Sequence, residues 1–322
     1  MRAPSAAARY VSNMVRRSAR TVHQRSVSRV PRLERTPRRP TVFVVGLGRL
    51  GTALARALAA HGWQVQAWSR TPTRRRLPGV TLRSGGVPTE VEGAKLVLLT
   101  VPDRAIAAVA TDLAQRGLVG RGQVVAHCAG ALDLEPLQAA AAAGAAIGSL
   151  HPLVAASPGA VQLTGKAAAI DGVPAAARLL RRVARTVGLR PLQVPAAGRV
   201  RYHAAASLAA NGLVALADLA AELLASTGVA REQALAALLP LLASSLENLQ
   251  RTGLPDALTG PVARGDAAVV QAHLAALREL PQYAAYVALS ARALEIAAQQ
   301  GAADPEGLER IDKLLRKPIR RR

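Results

Sequence analysis

A run of β-branched and aromatic residues, Thr41-Val42-Phe43-Val44-Val45, passes directly into Gly46-Leu47-Gly48-Arg49-Leu50-Gly51. An Ala/Leu-rich stretch follows and ends near His61. This order of strand, glycine turn and helix restricts the chain more than any other feature. Gly46 permits a tight turn, Gly48 lets the backbone come close to a ligand, and Gly51 lets the helix pack against the strand. The free N–H groups and positive dipole end of such a helix suit a pyrophosphate. Gly46, Leu47, Gly48, Arg49, Leu50 and Gly51 are therefore assigned to dinucleotide binding.

The alternation continues downstream. Strands are expected at residues 65–68, 80–82, 96–100, 124–127, 146–149, 167–171 and 191–194. Helices are expected after Asp103, from Asp133 and over residues 174–187. Strands alternating with helices of this length indicate a mainly parallel, doubly wound sheet covered on both faces. After Pro195 the strand signals stop. Residues 199–226, 231–250, 266–277 and 281–300 carry apolar side chains at helical spacing. Asp304 followed by Pro305 marks the start of one more helix. The expected architecture is an α/β Rossmann domain over residues 41–195 and an all-α domain over 196–312, flanked by a basic extension (1–40) and a basic tail (313–322).

The net charge of +22 raises the question of nucleic acid, but its distribution answers otherwise. The first 40 residues hold eleven Arg against one Glu, and the last ten hold six basic residues. The basicity belongs mainly to the ends, so it does not define the folded part. Residues 1–40 lack apolar periodicity and are expected to be disordered. Their composition fits a dispensable extension, an organelle-targeting segment or a polybasic arm. The longest apolar stretch, around residues 213–224, contains Asp218 and Glu222. No uninterrupted apolar run is therefore expected to reach the roughly 18–20 residues that span a bilayer, and the expected compartment is the cytoplasm. The single Cys128 excludes an intrachain disulfide.

The end of the second strand selects the nucleotide. An NAD site places a carboxylate there for the ribose 2′-hydroxyl. This chain has Trp68-Ser69-Arg70-Thr71, with Arg74, Arg75 and Arg76 following. Ser69 and Thr71 can donate to a 2′-phosphate and Arg70 can pair with it, so NADP is the expected cofactor. Thr100-Val101-Pro102 ends the fourth strand, where it would flank the nicotinamide. Asp103 is expected to cap the next helix.

Candidate chemistry sits elsewhere. His203, Ser207 and Asn211 recur every fourth residue, so they share one face of an Ala/Leu helix. They are assigned to the catalytic face, with His203 as the proton donor that hydride transfer to a carbonyl or imine requires. His151, placed after the sixth strand, is a fourth catalytic candidate. His127 and Arg264 are candidates for substrate binding. No Cys/His/carboxylate grouping has metal-ligand spacing, so no metal is expected.

Three segments add a family likeness. They are Gly148-Ser149-Leu150-His151-Pro152, Tyr202-His203-Ala204-Ala205-Ala206 leading to Asn211, and Leu258-Thr259-Gly260-Pro261 leading to Arg264-Gly265-Asp266. With the glycine turn they resemble a bacterial family that joins a Rossmann-like domain to a C-terminal domain of unknown function, number 2520. The likeness covers about residues 41–300. It implies a 6-phosphogluconate dehydrogenase-like helical domain and an oxidoreductase activity, in some members described as NADP oxidoreduction dependent on coenzyme F420. More distantly the layout is similar to pyrroline-5-carboxylate reductase, prephenate dehydrogenase and the β-hydroxyacid dehydrogenases. The last of these use a Lys four residues before the Asn, where this chain has Ser207. Many members of the nearer family have a Ser where this chain has Ala129.

The combined expectation is an NADP-dependent reductase or dehydrogenase. It would act on a small carbonyl, imine or hydroxy compound held between the two domains. The alternative is a non-catalytic NADP-binding or sensor protein, which Ser207 and Ala129 favour. A homodimer formed through the helical part is expected, with neither a nucleic-acid nor a membrane partner.

Overall fold

Alternation along the first strand decides how the chain layers itself. In β1 (Val42–Val45), Val42 and Val44 face one side of the sheet while Phe43 and Val45 face the other, and all four are fully buried. A strand buried on both faces must lie inside a covered sheet. The computed structural model describes residues 41–72, 76–86, 89–155 and 161–316. The expected extension (1–40) and Arg74, Arg75 and residues 317–322 lie outside the described residues.

The strands after β1 are β2 (Val65–Ser69), β3 (Val80–Ser84), β4 (Leu96–Leu99), β5 (Val124–His127), β6 (Ala146–Pro152), β7 (Ala167–Gly172) and β8 (Arg190–Gln193). They form an eight-stranded sheet in the order β3-β2-β1-β4-β5-β6-β7-β8. Every neighbouring pair is parallel except β6 and β7. Helices α1 (Arg49–Ala60) and α4 (Pro174–Thr186) cover one face through Leu54, Leu58, Leu180 and Val183. Helices α2 (Ile106–Gln115) and α3 (Gln138–Ala142) cover the other through Ile106, Leu113 and Ala140. Each fully buried Leu or Ile contributes roughly 1.5–3 kcal/mol.

The antiparallel pair alters one expectation. His151 and Pro152 do not follow β6 but belong to it, with His151 opposite Ala169 and Pro152 opposite Ala168 of β7. Pairing with a returning strand extends β6 past the point where its own apolar pattern ends. Asp103 also differs from expectation. It is the first residue of a short 3-10 turn, Asp103–Ala105, whose cap is Pro102.

From Ala196 onward the described residues form no strand. The helices are α5 (Arg199–Ser207), α6 (Leu213–Ala225), α7 (Arg231–Thr252), α8 (Ala267–Leu277), α9 (Tyr283–Gln300) and α10 (Pro305–Leu315). Asp266 caps α8 by accepting from Val269 N–H, and Asp304 caps α10 by accepting from Glu306 and Gly307 N–H. Lys313, expected in a tail, lies inside α10 and pairs with Glu309 at 2.6 Å. Val262, Val270, Leu274, Ala297 and Ile311 form a separate small core.

The longest apolar stretch belongs to a longer helix that also carries charged residues. Ala196–Ala225 is one 30-residue helix, with a mean hydropathy of 1.6 in its most apolar window and only 6% of that window buried. It meets the length and composition of a membrane span. Asp218 and Glu222 stand on its exposed side, where Arg231 of α7 pairs with both. Between α5 and α6 the helix widens into a π-turn at Leu208–Gly212, a distortion found often at functional sites.

Candidate active site

The glycine turn has the geometry its sequence requires. Gly46 adopts φ +102°, a conformation that favours glycine. Around Gly48 nothing lies within 4 Å of where a side chain would start, so the backbone is open to a ligand. A Cβ on Gly51 would lie 2.1 Å from Gly46 O and 2.4 Å from Thr100 Oγ1. Thr100, at the end of β4, donates its hydroxyl to Gly46 O at 2.6 Å and so ties that strand end to the turn. Leu47, Leu50 and Val101 pack against the two sheet cores beside it, and Pro102 follows. Thr52, one turn into the helix, donates to Leu47 O at 3.3 Å. These residues fit a dinucleotide pyrophosphate: an open backbone, a helix start and no carboxylate in the turn.

At the end of β2, Ser69 donates to Thr71 O at 2.7 Å, which folds the loop back and leaves Arg70 and Thr71 exposed. Arg49 lines a cleft of about 710 Å³ on the outer side of α1, together with Arg56 and Arg76.

A second centre lies at the same edge of the sheet. His151 of β6 and Tyr202 and His203 of α5 meet there. Tyr202 OH stands 2.7 Å from His151 Nδ1, and the His151 and His203 rings are 5.9 Å apart between centroids. Burial pushes the His151 pKa down to about 4, helped by the neighbouring His203 and Arg199, so its imidazole is neutral at pH 7. Burial pushes the Tyr202 phenol up to about 12. Gly130, in the turn after β5, backs onto both imidazoles: a Cβ there would lie 2.5 Å from His203 Nδ1 and 2.9 Å from His151 Nε2.

These rings open into a cavity of about 770 Å³ that also takes in Ser207 and Asn211. Asn211 Nδ2 donates to Ser207 Oγ at 3.2 Å across the π-turn. The structure thus gathers His203, Ser207 and Asn211, which share one helix face, with His151 from β6, and adds Tyr202. It does not bring the glycine turn or Thr100 into the same cavity. β1 and β6 are three strand spacings apart, or roughly 14 Å.

The two substrate-binding candidates stand outside this cavity. His127 is fully buried. Its Nδ1 accepts from Ala129 N–H at 3.2 Å, so Nε2 carries the proton and donates to Asp133 O at 2.7 Å. Both nitrogens are used in shaping the turn that carries Gly130, and burial holds its pKa below the usual value. Arg264 lies in the turn before α8, where its N–H donates to Gly260 O and Pro261 O, and it does not line the histidine cavity. The Cys128 thiol is buried and its pKa is pushed up to about 12, which keeps it protonated.

Besides Tyr202, one buried residue escaped the sequence reading. Arg199, the first residue of α5, is 1% exposed. Its guanidinium donates to Ser149 Oγ, reaches Ala129 O at 3.5 Å and lies 3.8 Å from Asp171 through Nε. The Arg-Val-Arg sequence reads as a solvated helix start. The partners that bury it come from β6, β7 and the turn after β5.

Comparison with known proteins agrees with this arrangement. Residues 22–152 match the family described as Rossmann-like domain, and residues 166–293 match Domain of unknown function (DUF2520). A glycerol-3-phosphate dehydrogenase [NAD(P)+] of Moorella thermoacetica is 36% identical over 111 residues, which is 30% of this chain. The chain spans 32% of that relative's length. Among solved structures, a protein from Thermotoga maritima aligns with a TM-score of 0.64 at 23% identity, over 81% of this chain and 99% of that one. A reductive aminase from Aspergillus terreus, in complex with NADPH and ethyl levulinate, aligns with a TM-score of 0.57 at 18% identity, over 85% and 99%. At these identities the two structures establish a shared fold.

Proposed function

On the premise that this chain joins a Rossmann-like domain to a DUF2520 domain, we propose that it is an NADP-dependent oxidoreductase. It would move hydride to or from a small carbonyl, imine or hydroxy compound held in the His151–His203 cavity. The observation that carries this reading is the placing of the glycine turn and the histidine cavity at one edge of one sheet, where open α/β sheets bind ligands. Bound there, a reduced nicotinamide would supply the hydride. The chain's own residues do the rest. Gly46, Gly48 and Gly51 give the phosphates access to backbone N–H groups. Ser69, Arg70 and Thr71 receive a 2′-phosphate. Tyr202 and His203 can donate a proton to the oxygen or nitrogen of the acceptor. The NAD(P)-dependence of the glycerol-3-phosphate dehydrogenases and the NADPH in the reductive aminase support the class of cofactor.

The test is a thermal melt with each cofactor. NADPH should raise the melting temperature more than NADH, through preferential binding to the folded state. Equal stabilisation by the two would remove NADP, and stabilisation by neither would remove the oxidoreductase.

A second proposal concerns assembly and compartment. Val200, Leu208 and Val214 are 71%, 75% and 71% exposed along the Ala196–Ala225 helix, and Leu241 of α7 is 63% exposed. We infer that a second copy covers this apolar face, giving a cytoplasmic homodimer with two-fold symmetry. Light scattering in detergent-free buffer should give twice the chain mass. A monomer, or recovery only with membranes, would reject it.

A further inference from the structure

The histidine cavity is built almost without charge. Its walls are mainly Ala and Leu from two sources. The Ala-Ala-Ala-Ser-Leu-Ala-Ala run of α5 and the π-turn supplies Ala205, Ala206, Ala209 and Ala210, and Leu153, Val154 and Leu192 also line it. Its polar groups are the neutral imidazole of His151, the Tyr202 phenol, His203, Ser207 and Asn211. Among the described residues lining it there is no Asp, Glu, Lys or Arg. The buried cation behind this wall, Arg199, is 1% exposed and already engaged by Ser149 and Asp171. It has no surface to offer a ligand.

Charge then decides what can enter. Moving a carboxylate or phosphate out of water costs far more than an uncharged group unless a cation or several donors replace the solvent. The cavity has donors at its histidine end and apolar walls beyond them. A carbonyl oxygen is satisfied by one or two such donors, and an aliphatic or aromatic body gains about 25 cal/mol per Å² of apolar area it buries.

We propose that this cavity selects an uncharged carbonyl compound with an apolar body, its oxygen directed at Tyr202 and His203, and discriminates against carboxylate- and phosphate-bearing substrates. The inference rests on the proposed oxidoreductase reading for its chemistry. In the reducing direction the carbonyl carbon accepts hydride from the reduced nicotinamide while the oxygen accepts a proton from Tyr202 or His203, which solvent then reprotonates. The products are the alcohol and the oxidised nicotinamide.

The test uses two ketones of the same chain length, 2-octanone and 7-oxooctanoate, which differ in the terminal carboxylate. Their binding to the full chain is measured by calorimetry, with and without NADP+. 2-Octanone should bind at least about tenfold more tightly, equivalent to 1.4 kcal/mol. Placing a cation in the wall, by Ala209→Arg or independently Leu192→Arg, should shift the ratio toward 7-oxooctanoate. Equal or tighter binding of 7-oxooctanoate to the unaltered protein overturns the proposal, as does binding of neither ketone. The cofactor reading fails separately. If NADPH does not bind but the neutral ketone is still preferred, the oxidoreductase falls and the neutral cavity stands.

Discussion

Gly130 stands where a side chain would strike two imidazoles at once: its Cα direction points at His203 Nδ1 and His151 Nε2. Its backbone has no positive φ, so glycine is required there for space and not for conformation. Gly130→Ala therefore tests the site with little backbone penalty. His203 is exposed and can swing away, whereas His151 is fixed in β6 and tied to Tyr202. Because His151 must also yield, the cost should be roughly 1–3 kcal/mol of overpacking, a fall of several degrees in melting temperature. The His203 imidazole resonances should shift and turnover should drop at least about tenfold. Unchanged resonances would show that Gly130 does not define the histidine pair.

Stability should depend on His151 in a definite pH window. Its folded pKa of about 4 lies below the unfolded value of 6.5, so the unfolded chain binds the proton more readily. The contribution is fully present above pH 6.5 and is lost as pH falls toward 4. The slope from this group cannot exceed about 1.4 kcal/mol per pH unit. His127 acts in the same direction, because its pKa is also lowered by burial. Denaturant unfolding between pH 4.5 and 7.5 should show a smaller slope for His151→Gln than for the parent. Identical slopes would remove His151 from the account.

The nucleotide loop gives a specificity test. Arg70 is exposed beside a serine and a threonine, with no acid in the segment from Trp68 to Thr71. Arg70→Asp should weaken NADPH by roughly 10- to 100-fold, the worth of one charge-assisted hydrogen bond. NADH should gain, as the new carboxylate can accept from a ribose 2′-hydroxyl. Gly51→Ala is the control. With 2.1 Å to Gly46 O it should weaken both cofactors together.

Arg199 should matter for stability far more than its place at a helix start suggests. Arg199→Met would leave Asp171 without its cation and Ser149 without its partner. A broken buried pair costs about 3–5 kcal/mol. Asp171 keeps 24% of its side chain exposed, so water can rehydrate it and the lower end is expected. Arg199→Met with Asp171→Asn should recover part of the loss in urea unfolding. No recovery would mean that Asp171 is not the compensating charge.

The parts of this structure that were legible in the sequence are those encoded locally. The strand, glycine turn and helix around Gly46 lie within about twenty consecutive residues. The shared face of His203, Ser207 and Asn211 follows from helical spacing alone. What was not legible depends on distant pairing. The length of β6 is set by β7, so His151 became a strand residue. His127 looked like a site residue because it ends a strand, but its own turn consumes both nitrogens. Arg199 is buried by residues up to 70 positions away. The π-turn at Leu208–Gly212 carries no pattern that separates it from α-helix.

The unbroken helix from Ala196 to Ala225 has a further consequence. Tyr202, His203, Ser207 and Asn211 ride on residues 202–211 of it, just past the start that Arg199 locks to β6 and β7. The side chains that would do the chemistry therefore move with the sheet, as a rigid lever does with its mount. The exposed apolar residues Val200 and Leu208 share that stretch, while Val214 and the contacts with α7 follow it. Substitutions at Val200 or Leu208 would therefore disturb assembly and the histidine site together, whereas Val214 lies beyond the reactive residues. One helix thus carries both the reactive side chains and the face a second copy would cover, so neither can be redesigned without regard to the other.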